Sequence, residues 1–142
     1  MNVRAEEIKA LVFDVFGTVV DWHGSVAREV RALAKSKGLR VNPAKFAKAW
    51  RAGYRPAMDR VLRGEAPFEK IDVIHHAILE DVLRQFKVTV LIEEEKAYLN
   101  LVWHRLKPWP DSVRGLKRLK SKFIIATLSN GNTSLLVNQL TP

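Results

Sequence analysis

The two places in this chain where residue type and spacing favour chemistry are polar positions that directly follow apolar runs. Asp14 follows the apolar residues 11–13, and Ser129 follows residues 123–128. Such runs predict strands buried on both faces, and in parallel sheets ligands bind beyond the carboxyl ends of the strands. We therefore expect the Asp14 carboxylate and the Ser129 hydroxyl at that edge, where loops and helix N-termini present free N–H groups to a ligand. Taken singly, each side chain could equally cap a turn.

The composition limits which groups could serve as nucleophile or ligand. The 142 residues are 47% hydrophobic, which is enough for a real core, and they include no cysteine. Disulfides, thiolate metal sites and cysteine nucleophiles are therefore excluded. The chain begins with the polar stretch MNVRAEEIK, and no apolar run approaches the roughly 20 residues of a membrane helix. We expect a soluble, cytoplasmic protein with no membrane partner.

The chain is strongly basic, with a formal net charge of +9 and an isoelectric point near 10.1. Clustered lysine and arginine would indicate a nucleic-acid surface. The basic residues are instead interleaved with apolar residues at helical spacing. Examples are the pair Lys45 and Lys48 and the pair Arg114 and Lys117. Solvated helix faces are therefore favoured over a nucleic-acid partner.

The long stretch between the two polar positions has a helical pattern. Its apolar residues recur at helical spacing in segments that start near Ser25, Pro43, Ile71 and Ala97. Pro108 and Pro110 interrupt this pattern, because neither fits a helix interior. Asp111 then predicts the start of a basic helix with Val113, Leu116 and Leu119 facing inward. Two strand-then-turn units thus bracket a helical insertion.

Four stretches of the sequence together resemble the haloacid dehalogenase (HAD) superfamily, and within it the type II (S)-2-haloacid dehalogenases. They are FDVFGT and IATLSNGN, which match the first two motifs, and the further stretches AWRAGY and WHRLKPWPDS. The resemblance implies an α/β fold with an incomplete HAD-like Rossmannoid core of parallel strands and an inserted all-helical cap. The implied core comprises residues 1–20 and 108–142, and the implied cap comprises residues 21–107.

The resemblance assigns roles to four polar residues of the two motifs. Asp14 matches the nucleophile, whose ester intermediate water then hydrolyses. Thr18 matches the threonine that orients the nucleophile. Ser129 and Asn130 match the residues that bind the substrate carboxylate or the departing halide. The implied activity is hydrolysis of a carbon–halogen bond, and the implied partner is a small 2-haloacid.

Phe16 and Arg51 bear on the type of reaction. Phosphatases of the superfamily carry a second aspartate two residues after the nucleophile, where this chain has Phe16. A halide leaves without a proton, so an apolar residue suits dehalogenation and disfavours phosphate-ester cleavage. Arg51, in AWRAGY, matches the cap arginine that meets the halide, and its plain alternative is a surface arginine on a basic helix.

Neither a metal site nor a cofactor is predicted from the sequence. The adjacent His75 and His76 would point about 100° apart on a helix, and His23 and His104 have no partner at ligand spacing. Phe16 also stands where a carboxylate would help to hold Mg²⁺. A homodimer is left open.

The end of the chain departs from the family pattern. Complete members continue past the second motif to a lysine and an acidic motif, whereas the last residues here, NGNTSLLVNQLTP, contain neither lysine nor acid. A truncated chain with impaired turnover is therefore expected. Two alternatives to the dehalogenase stay open: a phosphatase-like, Mg²⁺-dependent hydrolase of the same superfamily, and a non-catalytic basic helical module that binds nucleic acid or a protein.

Overall fold

The computed structural model describes residues 7–140 of the chain. In chain order the elements are β1 (Ala10–Phe13), β2 (Val20–Asp21), α1 (Trp22–Lys37), α2 (Pro43–Leu62), α3 (Ile71–Gln85), α4 (Glu93–Asn100), a 3-10 helix (Leu101–His104), β3 (Lys107–Pro108), α5 (Ser112–Lys120), β4 (Ile124–Thr127) and α6 (Thr133–Leu140). The chain divides into two compact units. One comprises Met1–Trp22 with Lys107–Asn130, and the other comprises His23–Leu106 with Gly131–Pro142.

The first unit is a small α/β assembly. Strands β1 and β4 pair in parallel, with Ala10 opposite Ile124 and Phe13 opposite Thr127. The short strands β2 and β3 pair antiparallel, and α5 packs against β4. The parallel pairing confirms the predicted fold class, because parallel neighbours need a crossover connection, and here 110 residues separate the two strands.

The strands and α5 are more exposed than the sequence predicts. Val12 is 59% exposed and Ile124 is 68% exposed, so the prediction of strands buried on both faces is wrong for the described residues. The reason is that this sheet has two strands there, with little to cover its faces. No residue of α5 is buried, although Leu116 and Leu119 are half-buried, and the Asp111 side chain makes no capping hydrogen bond.

The second unit is helical and contains most of the buried residues. Its centre is aromatic: the Trp50 ring meets the Trp103 ring edge-on at 5.4 Å, and the Phe46 ring lies 6.2 Å from Trp50. Helix α2 begins as the sequence predicts, because the Asn42 side chain accepts a hydrogen bond from the Lys45 amide at 3.0 Å. No helix of the described residues is long and apolar enough to cross a membrane.

A polar network joins α6 to the other helices of the second unit. Asn132 donates from Nδ2 to Asp72 Oδ2 at 3.0 Å, and His104 Nε2 lies 2.9 Å from Asp72 Oδ1. Asn138 Nδ2 lies 3.1 Å from His104 Nδ1, and Asn100 donates to the Asp72 carbonyl at 3.0 Å. These contacts join residues 132–138 to the helical unit. The division into a core of residues 1–20 and 108–142 and a cap of residues 21–107 stays a prediction.

Candidate active site

Asp14 lies directly after β1, at the start of a tight loop in the first unit. Gly17 has φ +101°, a conformation that favours glycine, and its amide donates to the Val20 carbonyl at 3.0 Å. The amides of Val19 and Val20 both donate to the Val15 carbonyl. The loop therefore turns sharply and leaves the Asp14 side chain exposed at the carboxyl end of its strand.

Two hydroxyl groups hold the Asp14 carboxylate. Ser129 Oγ donates to Asp14 Oδ1 at 2.8 Å, and Thr18 Oγ1 donates to Asp14 Oδ2 at 3.2 Å. The Ser129 hydroxyl also accepts from the Val15 amide at 3.3 Å, which fixes the direction of its own proton. The parallel pairing of β1 and β4 continues to the Leu128 amide, which donates to the Phe13 carbonyl at 2.8 Å. This register brings Ser129 beside Asp14 across 115 residues of sequence.

The loop after Asp14 is braced by two residues that the sequence analysis did not single out. Trp109 donates from Nε1 to the Gly17 carbonyl at 3.1 Å, and Ser112 Oγ donates to the Val19 carbonyl at 2.8 Å. Both lie in the stretch WHRLKPWPDS, which the sequence analysis quoted only as a resemblance. Residue spacing gave no signal for these bonds, because they depend on contacts over 90 residues or more.

The structure places the other predicted site residues in two different units. Phe16 is half-buried in the loop after Asp14 and forms an isolated bridge with Val20. Asn130 is exposed and directly follows Ser129. Arg51 belongs to α2 of the helical unit, where it is half-buried and its guanidinium carbon lies 4.7 Å from the centre of the Tyr54 ring.

His75 is a buried histidine in the helical unit, and the sequence predicts no role for it. It is 5% exposed, and burial lowers its pKa to about 4. The helical spacing of Ile71, Ile78 and Leu79 does place it on the inward face of α3, so the signal was present in the pattern. Spacing argues against His75 as a metal ligand and predicts no other role for it.

One group of side chains in the described residues has the spacing of a metal site. The ligand atoms of His76, Glu80 and Glu93 lie within 4.8 Å of one another. However, the Lys96 ammonium lies 2.9 Å from Glu80 Oε1 and 2.7 Å from Glu93 Oε1. Since a cation of the protein itself balances both carboxylates, this group is explained by ion pairing.

The chain is similar to known proteins in both sequence and structure. A family model described as haloacid dehalogenase-like hydrolase matches residues 8–140. The structure superimposes on the defluorinating L-2-haloacid dehalogenase Rha0230 with a TM-score of 0.88 and 44% identity, covering 92% of this chain and 54% of that one. For the L-2-haloacid dehalogenase PA0810 the TM-score is 0.83 and the identity is 39%, covering 92% of this chain and 56% of that one. For the L-2-haloacid dehalogenase of Xanthobacter autotrophicus the TM-score is 0.77 and the identity is 25%, covering 94% of this chain and 51% of that one.

These matches establish the class of protein. The chain belongs to the family of haloacid dehalogenase-like hydrolases, and it is related to L-2-haloacid dehalogenases at 25–44% identity. Its fold is an α/β fold that matches part of theirs. The chain spans about half the length of these three structures. The search of curated proteins gave no match.

Proposed function

We propose that this chain carries out the displacement step of a 2-haloacid dehalogenase, with Asp14 as the nucleophile. The observation that carries the proposal is the Asp14 carboxylate itself, exposed at the end of its strand and oriented by Ser129 and Thr18. The similarity of the chain to L-2-haloacid dehalogenases supports 2-haloacids as the substrate class.

The proposed reaction is a substitution at the carbon that bears the halogen. Each carboxylate oxygen of Asp14 accepts one hydroxyl hydrogen bond and keeps a lone pair for attack. The new carbon–oxygen bond forms as the carbon–halogen bond breaks, and the halide departs with the bonding electron pair. The product is an ester of Asp14, and slow hydrolysis of this ester by water would release the 2-hydroxyacid.

Phe16 favours this reaction over phosphate-ester cleavage. It is half-buried two residues after the nucleophile, where a protonated carboxyl group would be needed to assist an alkoxide leaving group. A halide needs no such proton. The apolar ring is also suited to contact the substrate's carbon chain, and it offers no ligand for Mg²⁺.

The proposed anion-binding groups are Arg51, Ser129 and Asn130. The substrate carboxylate and the leaving halide are both anions, and a guanidinium suits an anion that has lost part of its water. Ser129 and Asn130 offer a hydroxyl and an amide next to the nucleophile's strand. The overall charge of +9 further favours the approach of an anionic substrate over long range.

Covalent labelling of Asp14 tests the proposal on the chain as it is. The protein would be incubated with each enantiomer of 2-bromopropionate, digested, and examined by mass spectrometry for a propionate ester on the Asp14 peptide. We expect labelling with the S enantiomer, and none in Asp14→Asn, because an amide is a far weaker nucleophile. Asp21→Asn is the matched control and should label normally.

Two further arms of this experiment sharpen the assignment. Ser129→Ala should slow labelling about ten- to a hundredfold, because it removes a hydrogen bond of about 1.5–3 kcal/mol that orients the carboxylate. Ser121→Ala removes the same kind of hydroxyl at the end of α5, where it donates to the Arg118 carbonyl at 2.8 Å, and it should leave labelling unchanged. EDTA should have no effect. Equal labelling of Asp14→Asn, or a strict Mg²⁺ requirement, would contradict the proposal.

A further inference from the structure

His75 occupies a stack of rings inside the helical unit. Its imidazole lies nearly parallel to the Trp103 ring, with centroids 4.4 Å apart and planes 26° apart. Its other ring neighbour is Tyr54, at 5.8 Å and 51°. The backbone is fixed as well, because Trp50 Nε1 donates to the His75 carbonyl at 2.8 Å. His75 therefore has little freedom to move or to change rotamer.

The same stack ends at Arg51. The guanidinium carbon of Arg51 lies 4.7 Å from the centroid of the Tyr54 ring, which is cation–π geometry. Arg51 and Tyr54 are three residues apart on α2 and thus share one face of the helix. The order of contacts is therefore Trp103, His75, Tyr54 and Arg51.

His75 has a buried ring nitrogen without a hydrogen-bond partner and a lowered pKa, which is unusual for a residue that only fills the core. Its Nδ1 atom is buried and has no hydrogen-bond partner, a condition that costs free energy. Burial lowers its pKa most strongly, the charge of Asp72 opposes this effect, and the charges of Arg51 and His104 add to it. The ring is therefore neutral at neutral pH, and it places no second cation beside Arg51.

We propose that His75 is a positioning residue for Arg51: held against Trp103, its neutral ring fixes Tyr54 and, through Tyr54, the direction of the Arg51 guanidinium. The consequence for binding rests on the proposed function, in which Arg51 receives the halide. The geometric part concerns only the helical unit and can be tested apart from that function.

The test measures the order of the Arg51 side chain by NMR. The ¹⁵N-labelled chain would be examined at the arginine Nε–Hε resonances, with Arg51 assigned by its loss in Arg51→Lys, and the order parameter of that group compared among variants. We expect a clear loss of order in His75→Ala and its retention in His75→Phe, which restores a flat ring. Leu79→Ala is the matched control, because it also empties a buried site on α3.

The outcomes separate positioning from general destabilisation. An unchanged Arg51 order parameter in His75→Ala would overturn the proposal, as would an equal loss in Leu79→Ala at the same loss of thermal stability. The expected result is loss in His75→Ala only.

A bromide titration followed at the Arg51 resonance tests the link to the proposed function. We expect His75→Ala to bind bromide about three- to fivefold more weakly than the unmodified chain, the change expected when a cation–π contact is lost. A normal affinity in His75→Ala would overturn the link. If bromide produces no saturable shift in the unmodified chain, the halide role of Arg51 fails, whereas the positioning of Arg51 is still decided by the order parameters.

Discussion

The Asp14 carboxylate, the proposed nucleophile, is exposed and is held in one orientation by two hydroxyl groups. Ser129 Oγ contacts one oxygen and Thr18 Oγ1 contacts the other, so rotation about the carboxylate axis would break both bonds. Ser129 is in turn fixed by the Val15 amide. Hydroxyl donors, unlike a cation, hold the carboxylate without neutralising its charge, which suits the proposed role of nucleophile.

The neutral state of His75 gives a prediction for stability against pH. Its pKa is about 4 in the folded protein and near 6.5 when unfolded, so the unfolded chain takes up a proton first as the pH falls. The contribution of neutral His75 to the free energy of unfolding should therefore be fully present above pH 6.5. The free energy of unfolding should fall by about 3 kcal/mol as the pH is lowered from 6.5 to 4.

Urea unfolding between pH 4 and pH 8 measures this loss. His75→Phe, which cannot titrate, should show a smaller loss over the same range, by about the His75 contribution. Parallel curves for the two proteins would count against a neutral, buried His75.

At the scale of elements, the helical unit depends on a close approach of α2 and α3. Gly53 provides it, because a Cβ atom at this position would overlap with Cγ2 of Ile78. Gly115 on α5 is the opposite case, since a Cβ atom there would meet nothing within 4 Å. The two glycines therefore allow the effects of packing and of helix propensity to be compared within one chain.

We predict opposite effects for alanine at these two positions. Gly53→Ala should lower the free energy of unfolding by about 1–2 kcal/mol, because forcing an extra carbon into a packed interface outweighs the gain in helix propensity. Gly115→Ala should raise it by about 0.5–1 kcal/mol. Both values can be read from urea unfolding at pH 7, and a stabilising Gly53→Ala would contradict the close packing.

The sequence was sufficient for those parts of the fold that depend on local pattern and on one topological rule. Spacing was enough for β1, β4 and the start of α2, whereas α1 begins at Trp22, before the predicted Ser25, and the short strands β2 and β3 were not predicted. The meeting of Asp14 with Ser129 follows once their strands are parallel neighbours. The attachment of α6 was beyond reach, because it rests on a bond between Asp72 and Asn132 across 60 residues. His75 was missed since spacing shows that a residue is buried but not which rings surround it.

At the scale of the whole molecule, the exposed apolar surface favours association between copies of the chain, and the net charge opposes it. Val12, Ile124 and Leu128 of the first unit are 59%, 68% and 72% exposed. Within residues 7–140 the parallel sheet has two strands, so each strand also leaves one edge unpaired. Such edges favour pairing with another chain, whereas a charge of +9 opposes the approach of two copies.

We predict that the purified chain associates through β4, and that association strengthens with salt as charge repulsion is screened. Ile124→Lys places a charge on this strand and should shift the distribution toward monomer. Leu62→Lys adds the same charge at a residue of the helical unit that is 79% exposed, and it should leave association unchanged. Sedimentation velocity over a range of protein concentration and salt measures both effects. A monomer under all conditions, or an equal shift in both variants, would show that the strand edge does not drive association.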